Sequence, residues 1–99
     1  MENKNLKKYE NIIIISGSYT QKNYTKVLDI VKDYIKDLAE IEKIEELGLK
    51  RLAYEVQKQK NGYYVIFEIK ATPENIKNLE RFYRINDDVL KFIFVRKED

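Results

Sequence analysis

The chain has 99 residues, of which 43% are hydrophobic and 36% are charged, and its formal net charge is +2. This length suits a single domain over residues 1–99, and so small a positive excess does not by itself indicate a nucleic-acid partner. The absence of cysteine and histidine excludes disulfides, thiol nucleophiles, histidine acid–base chemistry and most zinc sites. No apolar run has the length of a membrane span or a signal-peptide core. We therefore expect a soluble cytoplasmic protein without metal, cofactor or small-molecule substrate.

The first third of the chain predicts an arm, a strand and a helix. Residues 1–7 are polar and basic and are expected to form a loose arm. Tyr9–Ile15 ends in four consecutive isoleucines. This run is apolar at both parities and too short for a helix, which indicates a central strand covered on both faces. Apolar residues then recur at spacings of three and four, which predicts an amphipathic helix over 20–38.

A hairpin is predicted around Asn61-Gly62. This dipeptide is the one that most readily takes the two positive φ angles of a type I′ turn, and strand-like runs flank it on both sides. If Asn61 and Gly62 are the central turn residues, counting outwards aligns apolar residues across the two strands. The predicted pairs are Val56 with Phe67, Tyr54 with Ile69, and Leu52 with Ala71.

Three further patterns complete the order of elements. The apolar parity of the second strand changes between Leu49 and Leu52, beside Gly48, which predicts a bulge or strong bend. Thr72–Glu74 combines a hydroxyl N-cap, a proline at the first helical position and an acid in the first turn, and so predicts a helix start. Val89–Val95 reads as a last strand.

The resulting order is strand, helix, strand, strand, helix, strand. With right-handed crossovers and paired middle strands, this order predicts an α+β fold, the ferredoxin-like split βαβ sandwich. Its sheet has four antiparallel strands and carries both helices on one face. The first and third strands are expected to be central, and they are also the most apolar.

The sheet face away from the helices is predicted to be chemically mixed. The predicted register places Glu55 opposite Glu68, and like charges so placed destabilise a sheet by up to roughly 1 kcal/mol unless a cation compensates. Either Lys70 and Arg51 offset the repulsion, or this face awaits a basic protein, since its polar, aromatic and aliphatic mixture suits a modest interface. The candidate partner-binding residues are Glu55, Gln57, Tyr64, Ile66 and Glu68.

Basic residues gather near the predicted hairpin and at the ends of the first and last strands. A single lysine is more often a solvated surface charge, but a projecting hairpin tip can reach phosphates without disturbing the core. Such contacts position RNA and do not read its sequence. Arg51 is the strongest single candidate because its planar fork suits bidentate phosphate binding. The candidate RNA-binding residues are Lys7, Lys8, Lys50, Arg51, Lys58, Lys60, Lys91 and Arg96.

The second strand carries a specific pattern, and others follow it in order. Gly48–Val56 reads GLKRLAYEV, and further matching segments are Lys8–Glu10, Gly62–Tyr63, Pro73–Glu74 and Arg84–Leu90. Together they resemble the bacterial ribosomal protein S6 family of the small subunit, over nearly the whole chain. Val56 stands where this family usually has isoleucine, and Glu55 where proline is frequent.

This resemblance implies a structural, ribosome-bound protein of the cytoplasm. It further implies binding to the central domain of the small-subunit ribosomal RNA, as a heterodimer with the basic ribosomal protein S18. Nothing in the composition or spacing shows this by itself.

Three other functions share the predicted topology. An RNA-recognition motif stacks bases on alternate aromatics of its third strand, whereas Tyr63 and Tyr64 are adjacent and must point to opposite faces. Acylphosphatases hold phosphate with an arginine after the first strand, and Ser16–Thr20 contains none. The remaining alternative is a free-standing regulatory or protein-interaction domain that does not bind RNA.

Overall fold

The computed structural model describes residues 6–97. Six elements follow one another in the predicted order: β1 (Lys7–Ser16), α1 (Gln21–Leu38), β2 (Glu40–Val56), β3 (Gln59–Ala71), α2 (Pro73–Ile85) and β4 (Val89–Arg96). Most of the predicted arm, residues 1–5, lies outside the described residues, and Lys7 already belongs to β1.

The four strands form one antiparallel sheet in the order β2-β3-β1-β4. β1 and β3 are central and pair continuously from Lys7 opposite Ala71 to Ser16 opposite Gly62. Both helices lie on one face of the sheet, where their buried side chains join the core. The predicted ferredoxin-like fold and the central positions of the first and third strands are confirmed.

The core lies between the helices and the face of β3 that carries the odd-numbered residues. Val65 and Phe67 have no exposed surface, whereas the alternate residues Tyr64 and Ile66 are half-buried on the other face. This alternation follows from the two-residue period of a strand. Tyr34 of α1 lies at the edge of the core, where it is 39% exposed and stacks on Phe82 with ring centroids 3.9 Å apart.

Each helix begins at a threonine. The Asn23 N–H donates to Thr20 Oγ1 at 3.2 Å, and the Asn75 N–H donates to Thr72 Oγ1 at 3.1 Å. Such a cap satisfies a helix-end amide and contributes about 1 kcal/mol. The helix start predicted at Thr72 is confirmed.

The hairpin turn is not where the sequence places it. Gln57 and Lys58 occupy the turn, with φ of 50° and 65°, and Val56 pairs with Gln59. Positive φ at both central positions is the requirement of a type I′ turn. The type of turn was therefore predicted correctly, at the wrong residues.

All three predicted cross-strand pairs are consequently wrong. On β2, Phe67 faces Ile44 and Ile69 faces Ile41, while the predicted partners lie towards the hairpin tip. In place of a position under the helices, Tyr54 is 68% exposed.

Close packing explains why Asn61-Gly62 lies within β3 and not in the turn. A Cβ on Gly62 would lie 2.3 Å from the Cγ2 atom of Ile14, and one on Gly17 would lie 2.3 Å from the Asn61 carbonyl oxygen. Real Cβ contacts do not reach such distances, so the two glycines let β3 and the end of β1 approach each other. Gly62 thus permits close contact between two strands. Glycine is used both for such contacts and for turns, so its presence in the sequence does not distinguish the two roles.

The predicted irregularity of β2 is confirmed and is more extensive than expected. Gly48 has a φ of 84°, and the pairing shifts between Glu46 and Gly48. A larger shift follows between Arg51 and Val56, where the four residues Leu52–Glu55 face the single residue Lys60 of β3. Extra residues on one strand form a bulge and increase the local bend.

Candidate nucleic-acid and partner-protein interface

The sheet face away from the helices, called the open face below, carries an apolar band across three of its four strands, β3, β1 and β4. Ile93 and Val95 of β4 are 46% and 45% exposed, and Ile93 lies beside Ile12, which in turn pairs with Ile66. A depression of about 270 Å³ lies in this band. Its lining residues are Ile12, Ile14, Tyr64, Lys91, Phe92 and Ile93.

One end of the band is acidic. Glu10 of β1 lies directly opposite Glu68 of β3, and both are half-buried. The nearest cation in the register is Lys43, which faces Glu68 from β2. Within residues 6–97 neither carboxylate forms an ion pair. A pair of like charges directly opposite each other does lie on the open face, but its second member is Glu10 and not Glu55.

The predicted partner-binding residues therefore do not form one group. Tyr64, Ile66 and Glu68 share the open face of β3. Glu55 and Gln57 lie at the hairpin, beside Lys60, which is eight residues from Glu68 along β3. At about 3.3 Å per residue that is about 26 Å. The error in the predicted turn position explains this separation, because it displaced the predicted pairing of β2 along β3.

The bulge of β2 bends over the hairpin end of the open face. Leu52 is 7% exposed, and its Cδ2 atom would lie 3.6 Å from a Cβ on Gly62. Next along the bulge, the Tyr54 ring lies beneath the Lys91 ammonium group, whose nitrogen is 5.6 Å from the ring centroid. The bulge thus brings β2 close to β4 although two strands separate them in the sheet.

The eight predicted RNA-binding residues fall at two ends of the sheet. The hairpin end carries Lys50, Arg51, Lys58, Lys60 and, through its contact with Tyr54, Lys91. The opposite end carries Lys7, Lys8 and Arg96. The ends are about 26 Å apart, because eight residues of β1 separate Lys8 from Ser16. In the described part of the chain none of the eight forms an ion pair.

The tyrosines with shifted pKa values lie away from the open face. Burial, followed by the hydrogen bond from its hydroxyl to Glu46 at 2.8 Å, raises the pKa of Tyr24. Burial raises the pKa of Tyr83, and the hydrogen bond to Asp88 raises the pKa of Tyr19. Each hydroxyl bonds a residue distant in the chain, so these shifts reflect packing and not catalysis.

Other kinds of site have no support in the described residues. Tyr63, the first aromatic of β3, is buried against Tyr24 with ring centroids 4.2 Å apart, and its hydroxyl donates to the Tyr19 carbonyl at 2.8 Å. It is therefore a core residue, as predicted. Within residues 6–97, no three acidic side chains gather to hold a metal ion, and neither helix has the length and apolar composition needed to cross a membrane.

Comparison with known proteins gives the family. The model of the family described as ribosomal protein S6 matches residues 8–96. The chain belongs to the ribosomal protein S6 family. The sequence-based prediction of a structural component of the small ribosomal subunit, and not an enzyme, is thereby confirmed.

Relatives of this S6-family chain support the assignment. It is 39% identical to small ribosomal subunit protein bS6 of Helicobacter hepaticus, over 94% of this chain and 69% of that protein. A second bS6, from Halalkalibacterium halodurans, is 34% identical over 95% of this chain and 100% of its own length. The chain thus spans about two thirds of the Helicobacter protein and the whole of the other.

Solved structures agree on the fold. The crystal structure of 30S ribosomal protein S6 from Thermotoga maritima has a TM-score of 0.86 at 26% identity, covering 93% of this chain and 88% of that one. The C-terminal domain of the MgtC protein from Mycobacterium tuberculosis has a TM-score of 0.62 at 15% identity, covering 99% of this chain and 95% of that one. So low an identity indicates a shared fold alone.

Sequence reasoning missed part of the open face. The isoleucine run predicts a strand covered on both sides, although Ile12 is only half-buried and Ile93 and Val95 are exposed. A usable signal was present: Glu10 shares the parity of Ile12 and Ile14. A charge in that row indicates that this side of β1 meets solvent or a partner.

Proposed function

We propose that this S6-family chain binds the central domain of the small-subunit ribosomal RNA through the hairpin end of its sheet, while ribosomal protein S18 docks on the open face. The family membership supports a ribosomal role. The observation that carries the assignment of surfaces is the separation of four cations at the hairpin, Lys50, Arg51, Lys58 and Lys60, from an apolar band with an acidic end.

The RNA surface is assigned to the hairpin because its cations project beyond the core. Lys58 lies in the turn itself, and Lys50, Arg51 and Lys60 are exposed next to it. Side chains in such positions reach phosphates without disturbing the core. The opposite end has fewer of the candidate cations, and its neighbouring Lys70 is engaged with Glu42 at 3.3 Å.

Replacing Lys50, Arg51, Lys58 and Lys60 with glutamine should weaken binding of the heterodimer to central-domain RNA. The plot of log affinity against log salt should flatten by roughly 0.7–0.9 for each phosphate that is no longer neutralised, because each neutralised phosphate releases counterions. The matched control replaces four exposed helix lysines, Lys22, Lys26, Lys36 and Lys77, and should leave the slope unchanged. A slope altered only by substitution of Lys7, Lys8 and Arg96 would move the RNA surface to the other end.

The S18 surface is assigned to the open face because its apolar band is continuous and ends in a pair of opposed carboxylates. Glu10 and Glu68 repel each other in the isolated protein, and a basic partner would relieve that repulsion. The band supplies the apolar centre that a protein interface needs, and the two carboxylates lie at its edge.

Glu10→Gln combined with Glu68→Gln should stabilise the isolated chain by up to roughly 1 kcal/mol, since the like-charge pair is removed. The same double variant should bind S18 more weakly. Thermal unfolding and calorimetric titration measure the two effects, with Glu55→Gln as a control that removes a carboxylate at the hairpin. Undiminished affinity of the double variant for S18 would remove this acidic pair from the interface.

A further inference from the structure

The bulge of β2 leaves a small cleft beside the hairpin. Leu52–Glu55 together face only Lys60 of β3, and the buried Leu52 holds the segment against Gly62. Between the bulge and β3 lies a cleft of about 110 Å³. Its lining residues are Arg51, Leu52, Ala53, Tyr54, Glu55 and Lys60.

Tyr54 offers an accessible aromatic surface at the rim of this cleft. Its side chain is 68% exposed, although it lies within a segment held down by Leu52. Lys91 covers one side of the ring, with Nζ 5.6 Å from the centroid. The cation over the ring holds it in place. An exposed, positioned aromatic ring is the feature on which a nucleobase stacks.

The charges around the cleft favour an anion. Arg51 and Lys60 line it together with a single carboxylate, Glu55, and neither cation forms an ion pair within residues 6–97. The cleft, of about 110 Å³, is large enough for a phosphate group. A nucleotide could therefore place its phosphate between the two cations and its base on the neighbouring ring.

The ligand must be an unpaired nucleotide. Bases inside a duplex are already stacked on their neighbours, whereas bases in loops, bulges and single strands can be splayed out onto a protein aromatic. We propose that Tyr54, Arg51 and Lys60 form a binding site for one unpaired RNA nucleotide, with the base stacked on Tyr54 and the phosphate held by the two cations. The inference rests on the proposed RNA binding and specifies the form of RNA at the hairpin end.

A direct test uses the absence of tryptophan from this chain. Tyr54→Trp introduces a single tryptophan, whose fluorescence a stacked base quenches. Titration of this variant with single-stranded oligoadenylate should quench the emission, and a duplex of equal length should not. Equal quenching by both, or by neither, would overturn the nucleotide site.

Affinity measurements separate this inference from the proposed function. With the S18 heterodimer and central-domain RNA, Tyr54→Leu should lower affinity about tenfold without altering the salt slope, whereas Tyr54→Phe should bind as the parent does, because phenylalanine also stacks. Arg51→Gln should instead flatten the slope. Tyr54 is exposed, so these variants should keep the circular-dichroism spectrum of the parent.

Each remaining outcome has a distinct meaning. If Tyr54→Leu binds RNA like the parent, the nucleotide site is wrong while the proposed RNA binding stands. If Tyr54→Leu weakens association with S18 and leaves RNA affinity intact, the aromatic surface belongs to the protein partner and the nucleotide site is again wrong. If the parent heterodimer does not bind central-domain RNA, the proposed function itself fails.

Discussion

Asn11 is a polar side chain with no exposed surface, on the strand face that meets the helices. Both ends of its amide are hydrogen-bonded: Nδ2 donates to the Ile93 carbonyl at 3.0 Å, and Oδ1 accepts from the Tyr83 hydroxyl at 2.5 Å. A buried amide costs free energy unless both ends are paired. The two hydrogen bonds connect β1 to β4 and to α2. The second bond forms only if α2 is placed so that the Tyr83 hydroxyl reaches Asn11.

We expect Tyr83→Phe to lower the free energy of unfolding by about 1–3 kcal/mol, because it leaves the Asn11 Oδ1 atom buried and unpaired. Urea denaturation measures the decrease. Tyr34→Phe is the matched control, since the Tyr34 side chain is 39% exposed, and it should change stability by less than about 0.5 kcal/mol. Equal small decreases in both variants would mean that Asn11 is satisfied by other means.

Tyr54 illustrates how a residue's surroundings decide its role. By parity alone it belongs with Leu52 and Val56 under the helices, yet it is exposed on the opposite side of the sheet. The register of β2 causes this change of side, because Lys50 pairs with Gly62 and the even-numbered residues that follow it, Leu52 and Tyr54, therefore share the open face. Its use as a binding residue therefore depends on its position in the sheet as well as on its aromatic ring.

At the scale of elements, the β2–β3 hairpin is the least regular part of the fold. Its turn residues, Gln57 and Lys58, are both non-glycine residues with positive φ. A left-handed conformation costs a residue with a Cβ roughly 1–2 kcal/mol. The chain accepts this cost at the turn because Gly62, the residue better suited to it, is needed where β3 meets Ile14.

Lys58→Gly should therefore stabilise the protein by up to about 1 kcal/mol, since glycine adopts positive φ without a steric penalty. Thermal or urea unfolding measures the change. Lys60→Gly is the control of equal charge: it lies within β3 and should destabilise by about 0.5–1 kcal/mol. Should Lys58→Gly also destabilise, the turn would not lie at Gln57 and Lys58.

At the scale of the whole molecule, three tyrosine hydroxyls join separate parts of the fold. Tyr24 on α1 donates to Glu46 on β2, and Tyr83 on α2 donates to Asn11 on β1. Tyr19, after β1, donates to Asp88, before β4. All three pKa values are raised, for the causes given above. The folded state therefore keeps these hydroxyls protonated at pH values at which the unfolded chain ionises them.

The sign of the resulting pH dependence follows directly. A raised folded-state pKa means that the stabilisation is fully present below the unfolded tyrosine pKa of about 10 and is lost as pH rises above it. We expect the free energy of unfolding to fall above about pH 10. The nearly inaccessible Tyr24 and Tyr83 each contribute a slope of at most about 1.4 kcal/mol per pH unit. The contribution of the more accessible Tyr19 to this slope is smaller, because solvent screens the Asp88 charge.

Urea denaturation at a series of alkaline pH values, with tyrosinate absorbance followed in parallel, measures this slope. Tyr83→Phe should reduce the slope of the unfolding free energy against pH by the contribution of one tyrosine. The exposed Tyr34→Phe should leave it unaltered. An unfolding free energy that stays level above pH 10 would show that these hydroxyls ionise equally in the folded and unfolded states.

The order of elements, the faces of β3 and the family follow from local patterns in the sequence. Each rests on a local or periodic signal: the spacing of apolar residues in the helices, the alternation from Tyr63 to Ile69, the helix start at Thr72, and the pattern GLKRLAYEV. Such signals survive because they depend on residues close together in the chain. The same local signals predicted that basic residues lie at the hairpin, since Lys58 and Lys60 are near its tip whether the turn is at Asn61-Gly62 or at Gln57-Lys58.

The register of the hairpin, and with it the composition of the open face, depends on contacts between strands that are distant in the sequence. The preference of Asn61-Gly62 for a turn is a local term of about 1 kcal/mol. It competes with continuous pairing of β3 along β1 and with the close contact between Gly62 and Ile14, neither of which is visible in neighbouring residues. Moving the turn replaced Glu55 by Lys43 as the β2 neighbour of Glu68, while Glu10 faces Glu68 from β1 on the other side. A cross-strand neighbour is set by the whole sheet, because a shift in one strand changes every pair along it.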